Sequence, residues 1–375
     1  MPKGNAAIGA RIAELRDSRS LTQADLARLI GVQHATTIHE IEKGRRALKA
    51  VELTAVARAL RISALDLLRD EGPPPSAVVR WREVTDEVAK KQEEALFVDR
   101  CRRYSFVERI TGVSSPRSLR RFDLDIPHTS YETAATWADS IRGELGLGDI
   151  PAPALRDALE STAGIKVFLS PLRGGSGAAT VIEGGPAILA NSREPLERRA
   201  FSLAHELFHL LTWDALPHDA TPLPPSDEKR NEELANVFAA RLLLPPASVL
   251  ERLGPGPVEG RRQMDLVTVA RQFGVSLPFF AYNLVNLGRL SKDAADRILA
   301  DESRYRVPLP DSTEQPTELP ERYVILAFRA YVDGEISVGK LAELLETTVG
   351  ELQKVLADHG FSLDVDDYQA EILPA

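Results

Sequence analysis

The chain has 375 residues, enough for two to four domains, and its composition (43% hydrophobic, 27% charged) is typical of a globular protein in water. No apolar run approaches the roughly 18 residues that cross a bilayer, and the start lacks the apolar segment of a secretion signal, so we expect a cytoplasmic protein without a membrane partner. Cys101 is the only cysteine, which excludes an internal disulfide and a cage of thiolates. The net charge of −9 argues against nucleic-acid binding by the whole protein.

The first 70 residues differ in charge from the remainder. They contain 12 lysines and arginines against 8 acidic residues, a net of +4, which leaves −13 for the rest of the chain. A basic segment on an acidic protein indicates an anionic partner at that end. Apolar residues recur there at helical spacing, and Thr22 with Asp25 three residues later predicts a capped helix start.

The stretch LTQADLARLIGV, which continues to IHEIEKGRRALKAVELTAVARALRISALDLL, resembles an XRE/Cro-type helix-turn-helix domain over residues 8–69. The resemblance implies binding of double-stranded DNA, homodimerisation, and a recognition helix from about Gln33 to Glu42 that enters the major groove. Between Gly31 and Ile38 there is one residue more than the usual pattern, so the register of the base contacts stays open. A helical dimerisation or protein-docking module is the alternative. The candidate base contacts are Gln33, His34, Thr36 and Thr37, and the candidate phosphate contacts are Gln23, Lys43, Arg45 and Arg46.

The run RDEGPPPSA, with three successive prolines, predicts a linker after this domain. The helical periodicity of residues 77–150 predicts a bridging region without chemistry of its own. Near residue 164 the pattern changes to short β-branched runs, GIKVFLSPL, GAATVIE and PAILAN, which predict a small sheet with a hairpin turn at EGGP. The run Ala178–Ile182 is a candidate for an exposed edge to which an extended peptide adds as a strand.

The stretch AHELFHLLTW carries the candidate chemistry of the chain. On a helix, His205 and His209 project from one face about one turn apart, so both imidazoles can bind one metal ion. Glu206 lies about 100° around the helix, which suits a general base better than a third ligand. Two histidines on an ordinary helix, without a metal, are the alternative.

A zinc peptidase site needs a third protein ligand. In NEELANVFAARLLLPP, Glu232 is followed four residues later by Asn236. That spacing favours Glu232 as the ligand, with Asn236 holding the other nitrogen of a ligand histidine. Glu233 is an alternative ligand, and so is His218 in a proline-rich loop.

The segments RRAFSLAHELFHLL and EELANVFAARLLLP resemble the ImmA/IrrE metallopeptidase family, and the resemblance covers roughly residues 150–250. It implies zinc ligands at His205, His209 and Glu232 and a catalytic base at Glu206, with Mn²⁺ as the alternative ion. It also implies a protein substrate, because peptidases of this family cut repressors of the XRE type.

These patterns predict an α+β protein that is predominantly helical, with an N-terminal helix-turn-helix domain, a zincin-like domain with a small β-sheet and a helical C-terminal region. We expect a DNA-binding regulator whose zinc-dependent endopeptidase domain controls a stress, phage or mobile-element response by limited proteolysis of a repressor-type protein, with this chain itself as an alternative substrate. The alternative is a transcription factor whose metal-binding domain is sensory or structural. The expected boundaries are 1–70 for the helix-turn-helix domain, 77–150 for the bridging region, 151–305 for the peptidase domain and 316–375 for the C-terminal domain.

Overall fold

In its described residues the fold is a predominantly helical α+β structure with one four-stranded sheet, as the sequence predicts. In a computed structural model the chain divides into two compact units. The first contains residues 1–77, 84–111 and 326–375, and the second contains residues 78–83 and 112–325. The residues that the structure describes are 4–19, 21–60, 67, 78–82, 87–113, 119–172, 175–182, 184–217, 223–254, 258–300 and 319–363.

The elements alternate between long helical stretches and one group of strands near the middle of the chain. The strands predicted around residues 164–191 are confirmed, and the C-terminal region is helical as expected. In chain order the elements are α1 (Asn5–Ser18), α2 (Gln23–Leu29), α3 (Ala35–Glu42), α4 (Ala50–Ala59), β1 (Val79–Arg82), α5 (Glu87–Ile110), α6 (Tyr131–Leu145), α7 (Pro151–Ser161), β2 (Lys166–Ser170), β3 (Gly177–Ile182), β4 (Gly185–Asn191), α8 (Leu196–Leu211), α9 (Pro225–Leu243), α10 (Pro246–Leu253), α11 (Gln263–Gln272), α12 (Leu277–Asn286), α13 (Lys292–Leu299), α14 (Glu321–Val332), α15 (Val338–Leu344) and α16 (Leu352–Asp358).

The helix-turn-helix domain of the first unit is built from α1 to α4 around a small apolar core. Thr22 begins α2 as predicted: its hydroxyl accepts from the backbone N–H of Asp25, and the Asp25 carboxylate accepts from the backbone N–H of Thr22. Ile12, Leu26 and Ile38, one from each of the first three helices, are fully buried in that core. The local cap and the apolar spacing therefore act together to set α2 against α1 and α3.

A buried ion pair joins α1 to α3. Arg16 Nε donates to Glu42 Oε1 at 2.6 Å and Arg16 Nη2 donates to Oε2 at 3.2 Å, while Gln23 Nε2 donates to the same Oε2 at 2.6 Å. Arg16 and Glu42 are only 9% and 8% exposed. Because a buried charge is costly unless it is paired, these side chains depend on one another and fix the end of α3. Gln23, a predicted phosphate contact, uses its amide within the domain, and its contact with DNA stays a prediction.

The sheet of the second unit has the strand order β1-β3-β4-β2. β3 and β4 form the antiparallel hairpin predicted at EGGP, and β2 pairs parallel with β4. β1 pairs antiparallel with β3, from Val79 opposite Thr180 to Arg82 opposite Gly177. α8 packs against β3 and β4, which places the candidate metal ligands beside the sheet.

The strand β1 bears on two sequence-based expectations. Of the residues expected to form a bridging region, 78–83 and 112–150 lie in the second unit and 84–111 lie in the first. The run Ala178–Ile182 is not an exposed edge, because β1 pairs along it and places β3 inside the sheet. VRWR alternates arginine with apolar residues, as a half-buried strand does, but so short a run before a long helical pattern carries little signal.

α8 runs through the core of the second unit. Every residue from Ser202 to Leu211 is buried, and Leu207 and Phe208 are fully buried. The helix packs against the sheet and also against α9. Because a buried polar group is costly without a partner, the polar side chains in this part of α8 need either hydrogen bonds or a ligand.

No single helix among the described residues is long and apolar enough to cross a bilayer. α9 and α10 reach that length and composition only when taken together, and a bend of 52° separates them. Leu242 and Leu243 of α9 and Val249 of α10 are buried in the core of the second unit. The apolar character of this pair is therefore accounted for by packing within the unit.

Glu160 on α7 is a buried carboxyl group whose titration affects stability. It is 6% exposed, and its Oε1 lies 3.2 Å from Arg156 Nε. Burial raises its pKa to about 7, against the opposing effect of Arg156. A group whose pKa is raised by folding stabilises the folded state below its unfolded pKa, and this contribution is lost as the pH rises through the folded pKa.

We therefore expect Glu160→Gln to become more stable relative to the wild type as the pH rises from 4 to 8. The shift from 4.5 to about 7, at about 1.4 kcal/mol per unit, amounts to roughly 3 kcal/mol over this range. Urea unfolding at both pH values measures the difference, with Glu228→Gln, at an exposed position, as the control. A difference that does not change with pH would show that the pKa of Glu160 is the same in the folded and the unfolded protein.

Candidate metal centre and nucleic-acid interface

Two turns of α8 carry three buried polar side chains. His205, Glu206 and His209 are 0%, 1% and 5% exposed. The i, i+4 spacing places both imidazoles on one face of the helix. Nε2 of His205 lies 3.0 Å from Nε2 of His209, so the two rings point to a common place beside α8.

α9 brings a carboxylate to the same place. Glu232 Oε2 lies 3.1 Å from His205 Nε2, and Glu232 Oε1 lies 3.3 Å from His209 Nε2. One ligand atom from each of these three residues lies within 4.8 Å of the others. Tetrahedral zinc with bonds near 2.0 Å holds its ligands about 3.3 Å apart, so the three donors have a suitable spacing. The Glu232 side chain is 41% exposed, which leaves this side of the group open.

Two asparagines of α9 lie against the other nitrogens of the imidazoles. Asn236 Oδ1 lies 3.0 Å from His205 Nδ1, so an N–H there donates to the amide oxygen and leaves Nε2 as an acceptor. Asn231 Nδ2 lies 3.5 Å from His209 Nδ1, and the buried Asn231 Oδ1 has no hydrogen-bond partner in the described part of the chain. A 180° flip of the Asn231 side-chain amide lets Oδ1 accept a hydrogen bond from His209 Nδ1. Both imidazoles then have the same tautomer, with the proton on Nδ1. Sequence reasoning missed Asn231, and its only signal was an asparagine directly before Glu232.

The donor set fits a cation such as zinc. With Nδ1 protonated on both rings, the two Nε2 atoms and the Glu232 carboxylate present lone pairs to one another at 3.0 to 3.3 Å. Lone pairs at such distances repel one another unless a proton or a cation lies between them. Two imidazoles and one carboxylate are a donor set that zinc accepts, with a fourth position left open.

Burial and hydrogen bonding set the protonation of the ligand group. Burial lowers the pKa of His205 to about 4, although the neighbouring Glu232 carboxylate opposes the shift. Burial alone would raise the pKa of Glu232, but its contacts with the imidazoles of His205 and His209 outweigh burial and hold that pKa well below its usual range. Both shifts favour the forms that bind a metal ion, a neutral imidazole and a carboxylate.

Glu206 lies beside the ligand group. Its buried Oε1 has no hydrogen-bond partner among the residues that the structure describes. Burial raises its pKa to about 7. The first residue of β3 is close by, since a Cβ on Gly177 would lie 3.2 Å from Glu206 Oε1. A carboxyl group that titrates near neutrality and has an unbonded oxygen is suited to accept a proton and return it.

Glu233, the alternative carboxylate ligand, does not join this group. Glu233 accepts a hydrogen bond from the Tyr131 hydroxyl at 2.6 Å, and it lies 3.9 Å from Lys229 Nζ and 3.8 Å from Arg230 Nη1. These contacts engage Glu233 away from the two imidazoles. His218 lies outside the described residues.

In the first unit, α2 and α3 form the helix-turn-helix pair, and α3 begins two residues later than expected. The recognition helix was expected from about Gln33, whereas α3 begins at Ala35 with His34 as its N-cap. Candidate base contacts that are exposed are Gln33, His34 and Thr36, and Thr37 is half-buried.

The candidate phosphate contacts that follow α3 differ in their exposure and in their ion pairs with acidic residues of the same domain. Lys43 is exposed at the end of the helix. The Arg45 side chain is 65% exposed and lies 3.3 Å from Glu40, whereas Arg46 is 34% exposed and bonds to Glu52 at 2.6 Å. Lys43 is therefore the candidate cation that is most accessible to a phosphate. Arg46 would have to break its ion pair with Glu52 before it could contact one.

Comparison with known families gives two matches. Residues 7–71 match a model described as a helix-turn-helix domain. Residues 160–285 match a peptidase-family model described as an IrrE N-terminal-like domain. No curated protein matches the chain at a significant level.

Two solved structures show a distant likeness. A Mycobacterium tuberculosis transcriptional regulator is 16% identical, with 51% of this chain and 53% of that chain covered and a TM-score of 0.32. The chain thus spans about half the length of that regulator. Bacillus thuringiensis PlcR, solved in complex with the peptide PapR7 and DNA, is 11% identical, with 97% of each chain covered and a TM-score of 0.17. At such TM-scores neither likeness defines a shared fold, and the two family matches carry the assignment. The chain therefore joins a helix-turn-helix domain to a domain of the ImmA/IrrE type.

Proposed function

We propose that the chain is a DNA-binding transcriptional regulator whose ImmA/IrrE-type domain is a zinc-dependent endopeptidase. A helix-turn-helix domain joined to an IrrE-type domain supports a transcriptional regulator. The observation that carries the peptidase is the buried Glu206 beside the group of His205, His209 and Glu232, with an Oε1 that has no hydrogen-bond partner in the described part of the chain. A structural metal site needs ligands but no base, so a carboxylate at this position supports catalysis.

Each side chain of the centre has a separate role in the proposed hydrolysis of a peptide bond. The two histidines and Glu232 would hold the zinc ion, and the two asparagines of α9 keep the imidazoles oriented. Zinc, when bound, makes a water molecule more acidic and polarises a carbonyl oxygen. Glu206 takes the proton of the attacking water on Oε1 and delivers it to the nitrogen of the departing amine. Mn²⁺ is the second candidate ion, because the set includes a carboxylate.

The proposed substrate is a repressor of the XRE type, with this chain itself as the alternative substrate. The N-terminal domain supports this class, because a DNA-binding module on the same chain raises the concentration of the peptidase near DNA-bound proteins. Double-stranded DNA is the proposed partner of that domain, and recognition of paired half-sites favours a homodimer. Cleavage of the repressor then relieves repression during a stress, phage or mobile-element response.

The test compares protein N-termini in cells that express the wild type with those in cells that express Glu206→Gln, with the neighbouring genes present. New N-termini found only with the wild type establish the peptidase and identify its substrate. Identical profiles at rest and under stress would contradict the peptidase and leave the DNA-binding function in place.

A second candidate function is a transcription factor whose metal centre is sensory or structural. The observation that favours it is the burial of the centre, since His205 and Glu206 are 0% and 1% exposed. Under this alternative, Glu206→Gln leaves the transcriptional output unchanged. Removal of a ligand, as in His209→Ala, changes that output because the metal ion is lost.

Substitution of Lys43 tests whether this residue contacts a DNA phosphate. We expect Lys43→Gln to weaken DNA binding at low salt on all sequences alike, because a phosphate contact carries no base information. The slope of log affinity against log salt concentration should fall in magnitude by about 1. Fluorescence anisotropy with labelled DNA at several salt concentrations measures both, with Lys292→Gln, at an exposed position of the other unit, as the control. An unchanged slope would remove Lys43 from the interface.

A further inference from the structure

The strand β1 lies next to the catalytic base. It pairs antiparallel with β3, and its last residue, Arg82, lies opposite Gly177. Gly177 is the residue from which a Cβ would approach Glu206 Oε1 to 3.2 Å. β1 therefore fills the position alongside β3 at the point where β3 passes the base.

The two arginines of β1, Arg80 and Arg82, contact aromatic rings on either side of the metal centre. Arg80 and Arg82 project to the same side of the sheet, because side chains alternate along a strand. The Arg80 guanidinium lies 5.0 Å from the centre of the Trp213 ring and donates to the Pro217 carbonyl at 2.6 Å. The Arg82 guanidinium lies 5.2 Å from the centre of the Phe201 ring. Phe201 precedes the ligand histidines in the chain and Trp213 follows them, so β1 spans the whole centre.

An extended peptide binds to a sheet by adding as a strand to its edge. The edge that serves the centre is that of β3, because β3 carries Gly177 beside Glu206. A peptide on the outer edge of β1 would be farther from the base by one strand spacing, about 4.8 Å. A substrate that adds to β3 as a strand would therefore occupy the position that β1 occupies in this structure.

β1 fits this place incompletely. Within the described residues, three of its four side chains have a buried nitrogen without a hydrogen-bond partner: Arg80 Nε, Trp81 Nε1 and Arg82 Nη1. Burial also lowers the pKa of Arg80, which shows that its charge is held at a cost. A buried donor that bonds with nothing is unfavourable, so a permanent strand usually satisfies its donors. The unsatisfied donors favour a segment that can leave.

We propose that β1 is a tethered occupant of the substrate's place, and that the site receives an extended peptide with arginines at alternate positions, as in Arg80-Trp81-Arg82. This inference rests on the proposed function. The rings of Phe201 and Trp213 receive the guanidinium groups of the peptide by cation–π contact. Because β1 is part of the same chain, it competes at a high effective concentration, and a substrate binds only when β1 has left.

The experiment uses the full-length, zinc-loaded chain with Glu206→Gln, so that binding is measured without turnover, and with Cys101→Ala. Val79→Cys and Thr180→Cys, which lie opposite each other in the strand pair, bring two Cα atoms within reach of a disulfide that locks β1 in place. A separate release variant carries Arg80→Gln and Arg82→Gln. The probe is the fluorescein-labelled peptide AVVRWRE, residues 77–83 of the chain, and the control peptide is AVVQWQE. Fluorescence anisotropy gives both dissociation constants.

We expect the reduced chain to bind AVVRWRE at least about tenfold more tightly than the oxidised, locked chain, because only the reduced form can release β1. The release variant should bind it at least about tenfold more tightly than the chain with native β1, and AVVQWQE should lose that gain. Equal binding by the oxidised and reduced chains overturns the proposal, since the peptide then adds elsewhere. Zinc content and circular dichroism show whether the release variant folds. If it does not, the comparison of peptide binding by the oxidised and reduced forms of the locked chain still tests the proposal.

Restoring Glu206 in the locked chain separates this inference from the proposed function. Cleavage of a repressor-type substrate by both the oxidised and the reduced form would overturn the role of β1 and leave the peptidase intact. Peptide binding that depends on the lock, without cleavage in either form, would support the role of β1 and contradict the peptidase. Cleavage by the reduced form alone supports both.

Discussion

We expect Glu206→Gln to lower kcat for peptide-bond cleavage by about 10³- to 10⁴-fold in the zinc-loaded chain. Glutamine keeps the size of the side chain but cannot take the proton of the attacking water. Zinc affinity should stay within about twofold of the wild type, because Glu206 is not among the three residues whose donor atoms converge. Cleavage rates on the substrate found by comparing N-termini, with zinc content and competition against a chelator, measure both effects.

The matched control is Glu233→Gln. Glu233 is the next carboxylate of α9 and bonds to Tyr131 rather than to the ligand group, so its loss should leave kcat within about threefold. If Glu206→Gln loses zinc together with activity, Glu206 is a ligand and its proposed role as the base is wrong. If Glu233→Gln lowers activity as strongly as Glu206→Gln, the base is not identified by these variants.

Arg16→Met should lower the free energy of unfolding of the helix-turn-helix domain by about 3 to 5 kcal/mol. The substitution leaves the Glu42 carboxylate, 8% exposed, without its cationic partner. Because domains of this size are only marginally stable, we expect loss of DNA binding as well. Urea unfolding followed by circular dichroism, together with anisotropy on labelled DNA, measures the loss. The zinc content of the second unit is the internal control and should not change.

The double variant Arg16→Met with Glu42→Leu tests the cause of that loss. It removes both charges, so no unpaired carboxylate is left in the core, and it should recover more than half of the lost stability. Gln23 then loses its acceptor on Glu42 and limits the recovery. Equal instability of the single and double variants would show that the shape of the arginine, rather than its charge, supports α3.

The parts of the centre that depend on local geometry were predictable from the sequence. The positions of His205, Glu206 and His209 follow from the turn of one helix, and the structure places both imidazoles on one side of α8. The relation between Glu232 and Asn236 also lies within one helix. That Glu232 rather than Glu233 meets the histidines depends on how α9 is rotated against α8, which one sequence does not determine.

The parts that depend on contacts between distant segments were not predictable. β1 pairs with β3 across about a hundred residues of intervening chain, and four residues give too short a pattern to predict such pairing. Asn231 was missed for the same reason, because its contact with His209 crosses from α9 to α8. The start of α3 was two residues off because no strong capping residue precedes it: His34 makes no side-chain cap.

Gly177 makes two positions that are 29 apart in the sequence dependent on each other. A methyl group there would lie 3.2 Å from Glu206 Oε1 and 3.0 Å from the Leu189 carbonyl oxygen, so both of these groups would have to move by a few tenths of an ångström. If Glu206 is the base, as we propose, selection for its correct placement also acts on this glycine. In the descent of chains with this architecture, we expect Gly177 to persist where the glutamate persists and to vary freely where it has been lost. The identity of one residue on a strand would then distinguish lineages that retain the chemistry from lineages that retain only the shape.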